Sequence, residues 1–445
     1  MMNASITVNP IGTFLPISIP DGLSELYLDG VLNDRRNDTT MEMDGYSVYL
    51  ALKALDWMRP GGFAGERKQI VDALLTRMSQ CDGFFSHGAW TGSPEEIHFR
   101  FTATAVRLLL EGWQDGLCRL EDLRSVLDRH VSYSETLPVG LWFLHDSLEL
   151  AETRALDPSR PTSNHAWGSS LKNCMVLNTH LDTLATLIHC LNRGVIPEAE
   201  AASYLDRVRS ALDALQAVLE QNRSLSWKIF SFFDSRFREL TFSLSFLPEF
   251  PKRKARGALR RTVVRLRRHI RSKMFGFQFS DGYLERDISL WGTGFEYHIV
   301  NIYDLLRVIY EMRDNVHLRN GTWPVQDWIA IVDNALDYTC RAPYSIELIA
   351  STMETGRAIY VCEAILLRLS LDENFRPPQS WVKTYCAVRR RVPPSAAILG
   401  YDPFVVSKSN FELGNIEKIR LRDGRLLIVD ISAEKFTLLG KTGDE

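Results

Sequence analysis

The chain has no apolar run approaching the roughly 20 residues that a membrane-spanning helix needs, so any contact with a bilayer is expected to be peripheral. Its first twenty residues lack a basic stretch and are broken by prolines, which argues against a secretory signal. No CxxC pair occurs. The seven cysteines (81, 118, 174, 190, 340, 362 and 386) are odd in number and widely spaced, and several sit inside apolar helical patterns. That excludes a disulfide framework and predicts buried, reduced thiols in a cytoplasmic protein.

Catalytic signatures are also missing. The sequence holds no HExxH, no GxSxG, no EF-hand loop, and no DDxxD or DxDD cluster. Gly292-Thr293-Gly294 begins like a dinucleotide loop, but Tyr297 stands where the third glycine belongs and no βαβ pattern surrounds it. Gly440-Lys441-Thr442 resembles the end of a phosphate-binding loop, but Lys435 occupies the first glycine position. The ten histidines show no metal spacing; His180 and His189 are too far apart on one helix to share an ion. Neither a metal nor a cofactor is expected.

What the chain does have is helical periodicity, from about residue 44 to 390. It predicts helices near 44–59, 66–79, 94–112, 120–132, 138–153, 170–193, 197–221, 225–246, 252–274, 295–313, 323–340, 346–369 and 378–389. Ser93-Pro94-Glu95-Glu96 reads as an N-cap, a first-turn proline and a capping-box glutamate. Strand patterns gather at the C-terminus, where 416–421 and 425–431 flank the hairpin turn Asp423-Gly424. Segments 101–110, 174–190, 298–310 and 358–368 are apolar nearly all round, whereas 66–79 and 198–220 are amphipathic. Inner helices touched on every side and outer helices touched on one would alternate in this way. No fixed-period TPR, HEAT or ankyrin repeat is present. The expected organisation is an extended segment 1–40, a helical body 41–395 and a small β-rich appendage 396–445.

About twelve helices in inner and outer hairpins, followed by a short β tail, resemble the α/α-toroid of glycosidases, polysaccharide lyases and sugar epimerases, and of terpenoid cyclases. The resemblance covers roughly residues 40–390 and is one of architecture. It implies a mainly α fold, and loops beside its inner helices would line a cleft.

Three segments combine polar side chains with tryptophan on otherwise apolar helices. The first offers Trp90 in a loop and Arg100 on the following helix. The second offers Asn164, His165 and Trp167 in a loop, then Asn178, His180 and Asp182 on a helix. The third offers Trp291, then Glu296, Tyr297, His298, Asn301 and Asp304. Polar groups on such helices must be hydrogen-bonded in the core or must face a cavity. A sugar has apolar faces and a ring of hydroxyls, which aromatic platforms and planar polar groups match. The three segments, 82–102, 164–182 and 287–304, are expected to line one saccharide pocket. Acid/base chemistry on a glycan needs two poised groups, with Asp182 and Glu296 as first choice for a hydrolase. His165, His180, His298 or Tyr297 would serve a lyase or epimerase that abstracts a proton beside a uronate.

Residues 252–273 hold eleven Lys or Arg and no acid, in a chain whose formal net charge is −3. Arg260, Arg261, Arg265, Arg267, Arg268 and Arg271 surround a narrow apolar stripe, and a phenylalanine-rich helix precedes them. This reads as a contact for an anionic membrane surface at its cytoplasmic face. Nucleic acid is the weaker match, because no recognition motif accompanies the charge. The expected function is thus a glycan-processing enzyme (hydrolase, lyase or epimerase) acting on a polysaccharide or lipid-linked saccharide. A non-catalytic helical scaffold and an isoprenoid or lipid cyclase or transferase remain alternatives.

Overall fold

The computed structural model describes residues 6–7, 45–46, 48–50, 52–53, 61–80, 85, 97–149, 175–220, 225–243, 250–251, 254–255, 257–258, 276–287, 295–341, 355–390, 416–421 and 423–441. They form a mainly helical protein with a small C-terminal sheet. In chain order the helices are α1 (Ala64–Gln80), α2 (Phe99–Gln114), α3 (Leu120–Ser132), α4 (Leu177–Asn192), α5 (Glu198–Glu220), α6 (Leu225–Ser243), α7 (Phe295–Asp314), α8 (Val325–Arg341), α9 (Thr355–Leu371) and α10 (Gln379–Arg389). The strands are β1 (Ile6–Thr7), β2 (Ser134–Leu137), β3 (Gly140–Phe143), β4 (Ile416–Arg420), β5 (Arg425–Asp430) and β6 (Lys435–Lys441). Among the described residues no helix is long and apolar enough to cross a membrane. The chain divides into two compact units, residues 1–130 with 339–445, and residues 131–338.

Three predicted helices are corrected. Segment 138–153 is a β-hairpin, with Leu137 opposite Gly140, followed by a single 3-10 turn at Ser147–Glu149. Gly140 has φ 139, which no helix allows, and a Cβ there would overlap the Ser210 carbonyl of α5. Segment 94–112 becomes helical only at Phe99, because His98 is extended (φ −92, ψ 112) and serves as the N-cap without a side-chain cap bond. The capping pattern read at Ser93 lies outside the described residues. Segment 170–193 starts at Leu177, behind Met175 in the left-handed region (φ 47) and an extended Val176.

In unit 1, α2 is buried from Phe99 through Gly112. Past its C-terminal end, Asp115 accepts hydrogen bonds from Tyr49 Oη (2.7 Å), Lys53 Nζ (2.9 Å) and Arg67 Nη1 (2.7 Å). The sheet runs β1-β4-β5-β6; β4, β5 and β6 are antiparallel, and β1 joins parallel to β4 with Ile6 opposite Lys418. The Asp423-Gly424 turn is present, with Gly424 at φ 87. Buried charges bolt this sheet to helices. Glu417 takes bonds from Arg389 Nε (2.8 Å) and Tyr385 Oη (3.0 Å). Arg425 caps the last turn of α9 through the carbonyls of Leu369 (2.5 Å) and Glu373 (3.0 Å).

Unit 2 contains one device built twice. In each copy a glycine with positive φ lies against the backbone of a following helix: Gly140 against Ser210 and Ala214 of α5, and Gly282 against Asn334 of α8. In each copy an aromatic ring just after the glycine stacks on a fully buried histidine. Trp142 covers His180 of α4 at 3.9 Å between centroids, and Tyr283 covers His298 of α7 at 4.8 Å. Each imidazole Nδ1 accepts the next backbone N–H, from Phe143 (3.2 Å) and Leu284 (2.8 Å). The other nitrogen of His180 meets the Ala211 carbonyl of α5 (3.3 Å), and His298 makes a backbone bond to Ala335 of α8. Thus α4 with α5, and α7 with α8, are equivalent helical hairpins, and α4 packs along α7. A sequence echo stands in α2. His98, Thr104 and Arg107 repeat the spacing of His298, Asp304 and Arg307, and in both copies the arginine bonds the residue three before it. The unequal spacing between copies hides this duplication from a fixed-period search.

Candidate functional site

The polar residues of α4 and α7 fall into two clusters on the same pair of helices. The first is sealed. Asp182 and Asp304 are both fully buried, and Arg307 Nη1 joins them at 2.5 and 3.2 Å. Burial alone would pull the Arg307 pKa down, but Asp182, then Tyr303 and Asp304, hold it above its ordinary value, so the charge stays. His180 and His298 are equally buried, and both are pushed down to about 3, chiefly by burial. Arg238 adds to the effect at His298, while the Ala211 carbonyl opposes it at His180. They are neutral imidazoles, and with Nδ1 accepting from backbone, each presents Nε2–H to the outer helix. Asp182, Asp304, His180 and His298 therefore brace the helix pair from within.

The second cluster lies at the N-terminal ends of α4 and α7 and is half-exposed. Leu177 N–H, at the start of α4, donates to the Arg286 carbonyl at 2.8 Å. Asn301 of α7 donates from Nδ2 to the Glu285 carbonyl, also at 2.8 Å. These two bonds pin the loop 284–287 across both helix starts. The Arg286 guanidinium then sits over the Tyr297 ring (4.3 Å) and lies 3.6 Å from Asp287 and 3.4 Å from His145 Nε2. His145, which follows the β2–β3 hairpin, places Nδ1 2.8 Å from Thr179 Oγ1. An arginine donating to Nε2 fixes the tautomer, so Nδ1–H donates to the threonine.

Carboxylates gather around this frame. Glu149 accepts the His145 N–H at 2.9 Å, and Glu285 accepts the Arg286 N–H at 3.2 Å. Asp146, Glu149 and Glu285 are buried; Asp287 and Glu296 are half-buried. Of these, Asp287 lies 3.6 Å from the Arg286 guanidinium, whereas Glu285 and Glu149 are tied to backbone N–H groups of the loops that carry Arg286 and His145. The Asn301 amide is fully buried, and its oxygen has no hydrogen-bond partner among the described residues.

Of the residues expected from sequence, Glu296, Tyr297 and Asn301 belong to this second cluster, and the buried Asn178 stands one residue into α4 beside it. Arg100 is buried within α2 of unit 1. Trp90, Asn164, His165, Trp167, Trp291, Arg260, Arg261, Arg265, Arg267, Arg268 and Arg271 lie outside the described residues. The sequence reading passed over His145, Asp146, Glu149, Thr179, Glu285 and Arg286. The glycine-aromatic pairs at 140–142 and 282–283 were the signal that could have found them, since each leads directly into one of these loops. Among the described residues no three His, Cys, Asp or Glu side chains converge to hold a metal ion. No family model matches the chain, nor does any curated protein or solved structure.

Proposed function

We propose that the chain is a glycan-processing enzyme of α/α-toroid type that hydrolyses glycosidic bonds at the N-terminal ends of α4 and α7. The observation that carries this reading is the half-exposed cluster in which Asp287 lies 3.6 Å from Arg286, Arg286 covers the ring of Tyr297 next to the half-buried Glu296, and Glu149 and Glu285 bond the backbone of the same loops. Such a site favours positive charge developing on a sugar ring, as in the oxocarbenium-like transition state of glycoside hydrolysis. It repels the carboxylate of a uronate, which sets the lyase and epimerase readings behind the hydrolase. The paired inner and outer helical hairpins of unit 2 support the toroid. The free, buried thiols of Cys362 and Cys386 support a cytoplasmic setting.

Asp287 and Glu296 are the reacting pair in this scheme, since Asp182 is committed to Arg307. One carboxylic acid protonates the glycosidic oxygen as the C1–O bond breaks. In an inverting route the other carboxylate removes a proton from the water whose oxygen bonds to C1; in a retaining route it bonds to C1 itself as the leaving group departs, and the first carboxylate then takes the proton of the water that displaces it. His145 and Tyr297 orient hydroxyls, and Arg286 holds both. The same acids would also suit cation chemistry on an isoprenoid. The aromatic side chains Trp227, Phe230, Phe279 and Tyr283, however, pack on one another as core, which favours the saccharide.

The test is reducing-end release from a panel of neutral and acidic polysaccharides. Glu296→Gln and Asp287→Asn should each lower turnover about 10²–10⁴-fold with melting temperature nearly unchanged. Added azide should restore part of the rate in one of them. Wild-type turnover on no glycan, or full turnover in both variants, would overturn the assignment.

A further inference from the structure

Helix α6 has two faces of unlike kind. On one, Trp227, Phe230, Ser231, Asp234 and Arg238 are buried. Trp227 Nε1 donates to the Gln278 carbonyl (2.9 Å), Ser231 Oγ bonds Ser280 Oγ (2.7 Å), and Arg238 pairs with Asp234 (2.9 Å) and with Asp281. That face is fastened to the loop 276–284. On the other face Leu225, Ile229, Phe232, Phe233 and Leu240 follow one another at helical spacing, each more than half exposed, with Leu225 at 73% and Phe233 at 66%. Phe250, at 63%, continues the series. Scattered exposed apolar residues need no explanation, but a contiguous stripe along a helix otherwise built for burial does.

Cations border this stripe. Arg236 lies over the Phe232 ring (5.6 Å) and also pairs with Glu239 (2.8 Å), and Lys254 Nζ lies 4.9 Å from the Phe250 ring centroid. Lys228 is exposed on the same side. The chain then continues into 252–273, with eleven basic residues and no acid.

We propose that the outer face of α6 docks on an anionic lipid bilayer, with Leu225, Ile229, Phe232, Phe233, Leu240 and Phe250 entering the boundary between headgroups and acyl chains. The occupant follows from the order of chemistry. Apolar side chains flanked by cations match an apolar interior beneath an anionic headgroup layer. A nucleic acid would use the cations and leave the phenylalanines in water. A second copy would bring two strongly positive segments together.

Sedimentation of the full-length protein with vesicles tests this. Binding is expected to phosphatidylcholine vesicles containing phosphatidylserine at low salt, and it should weaken as salt shortens the reach of the charges. The double variant Phe232→Ser, Phe233→Ser should bind about tenfold more weakly or less, with unchanged circular dichroism, because neither ring touches the core. Arg236→Gln with Lys254→Gln should weaken binding at low salt and reduce the salt sensitivity of what remains. Equal sedimentation of the double phenylalanine variant would overturn the proposal, as would equal binding to pure phosphatidylcholine. A dimer that the double variant abolishes, with no vesicle binding, would make a second copy the occupant. Retention of a homopolymeric RNA in place of vesicles would assign the surface to nucleic acid.

Discussion

The sealed cluster around Arg307 and the open cluster around Arg286 use the same residue types on the same two helices. Each has an arginine with aspartate within ion-pair reach. They differ in burial and in what the protons can reach. Around Arg307 the two aspartates are fully buried and each lies within ion-pair distance of the guanidinium, so any change of charge is opposed by the low-dielectric surroundings. Around Arg286, by contrast, Asp287, Glu296, Tyr297 and His145 keep partial access to solvent. Polar residues on an apolar helix thus divide into braces and reagents according to depth, and their spacing alone does not separate the two.

The largest effect expected from breaking this contrast is on stability at the sealed end. Asp182→Asn leaves Arg307 buried with Asp304 as its remaining ion-pair partner, and should cost about 3 kcal/mol, read as a lower urea midpoint. Arg286→Met at the open end should leave that midpoint within about 0.5 kcal/mol of wild type while removing glycan turnover. If the two substitutions exchange these outcomes, the clusters have been assigned the wrong way round.

Acid should act on the braces next. His180 and His298 are held near 3 in the folded protein, whereas an unfolded chain takes up the proton near 6.5. The unfolded state therefore binds more protons between these values. The stability is fully present above about pH 6.5 and is lost as pH falls toward 3, by roughly 1.4 kcal/mol per pH unit for each imidazole. Urea titrations at a series of pH values should show this slope, and His180→Gln should remove about half of it. A flat profile below pH 6.5 would mean that the imidazoles are not sealed.

The smallest effect concerns Thr183, one turn along α4 from His180. Its buried hydroxyl has no hydrogen-bond partner among the described residues. Thr183→Val should change stability by less than about 1 kcal/mol, in the stabilising direction, because it removes a desolvated polar atom and keeps the shape. A loss above about 2 kcal/mol would reveal a bond made by that hydroxyl.

Much of the helical body was legible from periodicity, because helices such as α1, α3, α5, α7 and α8 carry long, clean patterns with clear ends. The Asp423-Gly424 hairpin was legible from turn chemistry. The β2–β3 hairpin was not, since strands of four residues give too few alternations to distinguish period 2 from 3.6. The run Leu141-Trp142-Phe143-Leu144 reads equally well as a buried helix. Nor was the pairing of Ile6 with Lys418, which is set by tertiary contact and leaves no local trace. For the site, the sequence marked Glu296, Tyr297 and Asn301 and stopped one residue short of Arg286. It also marked Asp182, whose ion pair with Arg307 becomes visible only once α4 and α7 lie side by side.

The pairing of β1 with β4 also bears on how the chain matures during synthesis. Unit 2 is one continuous stretch, 131–338, and all of it is made before the second part of unit 1, residues 339–445. Unit 1 is split around it, and its sheet needs Ile6–Thr7 beside a strand that is made only after the whole of unit 2. Folding of unit 2 would shorten the loop that must close before those distant strands meet. The order of translation therefore favours assembly from the middle of the chain outward, with the N-terminal strand waiting longest for its neighbour.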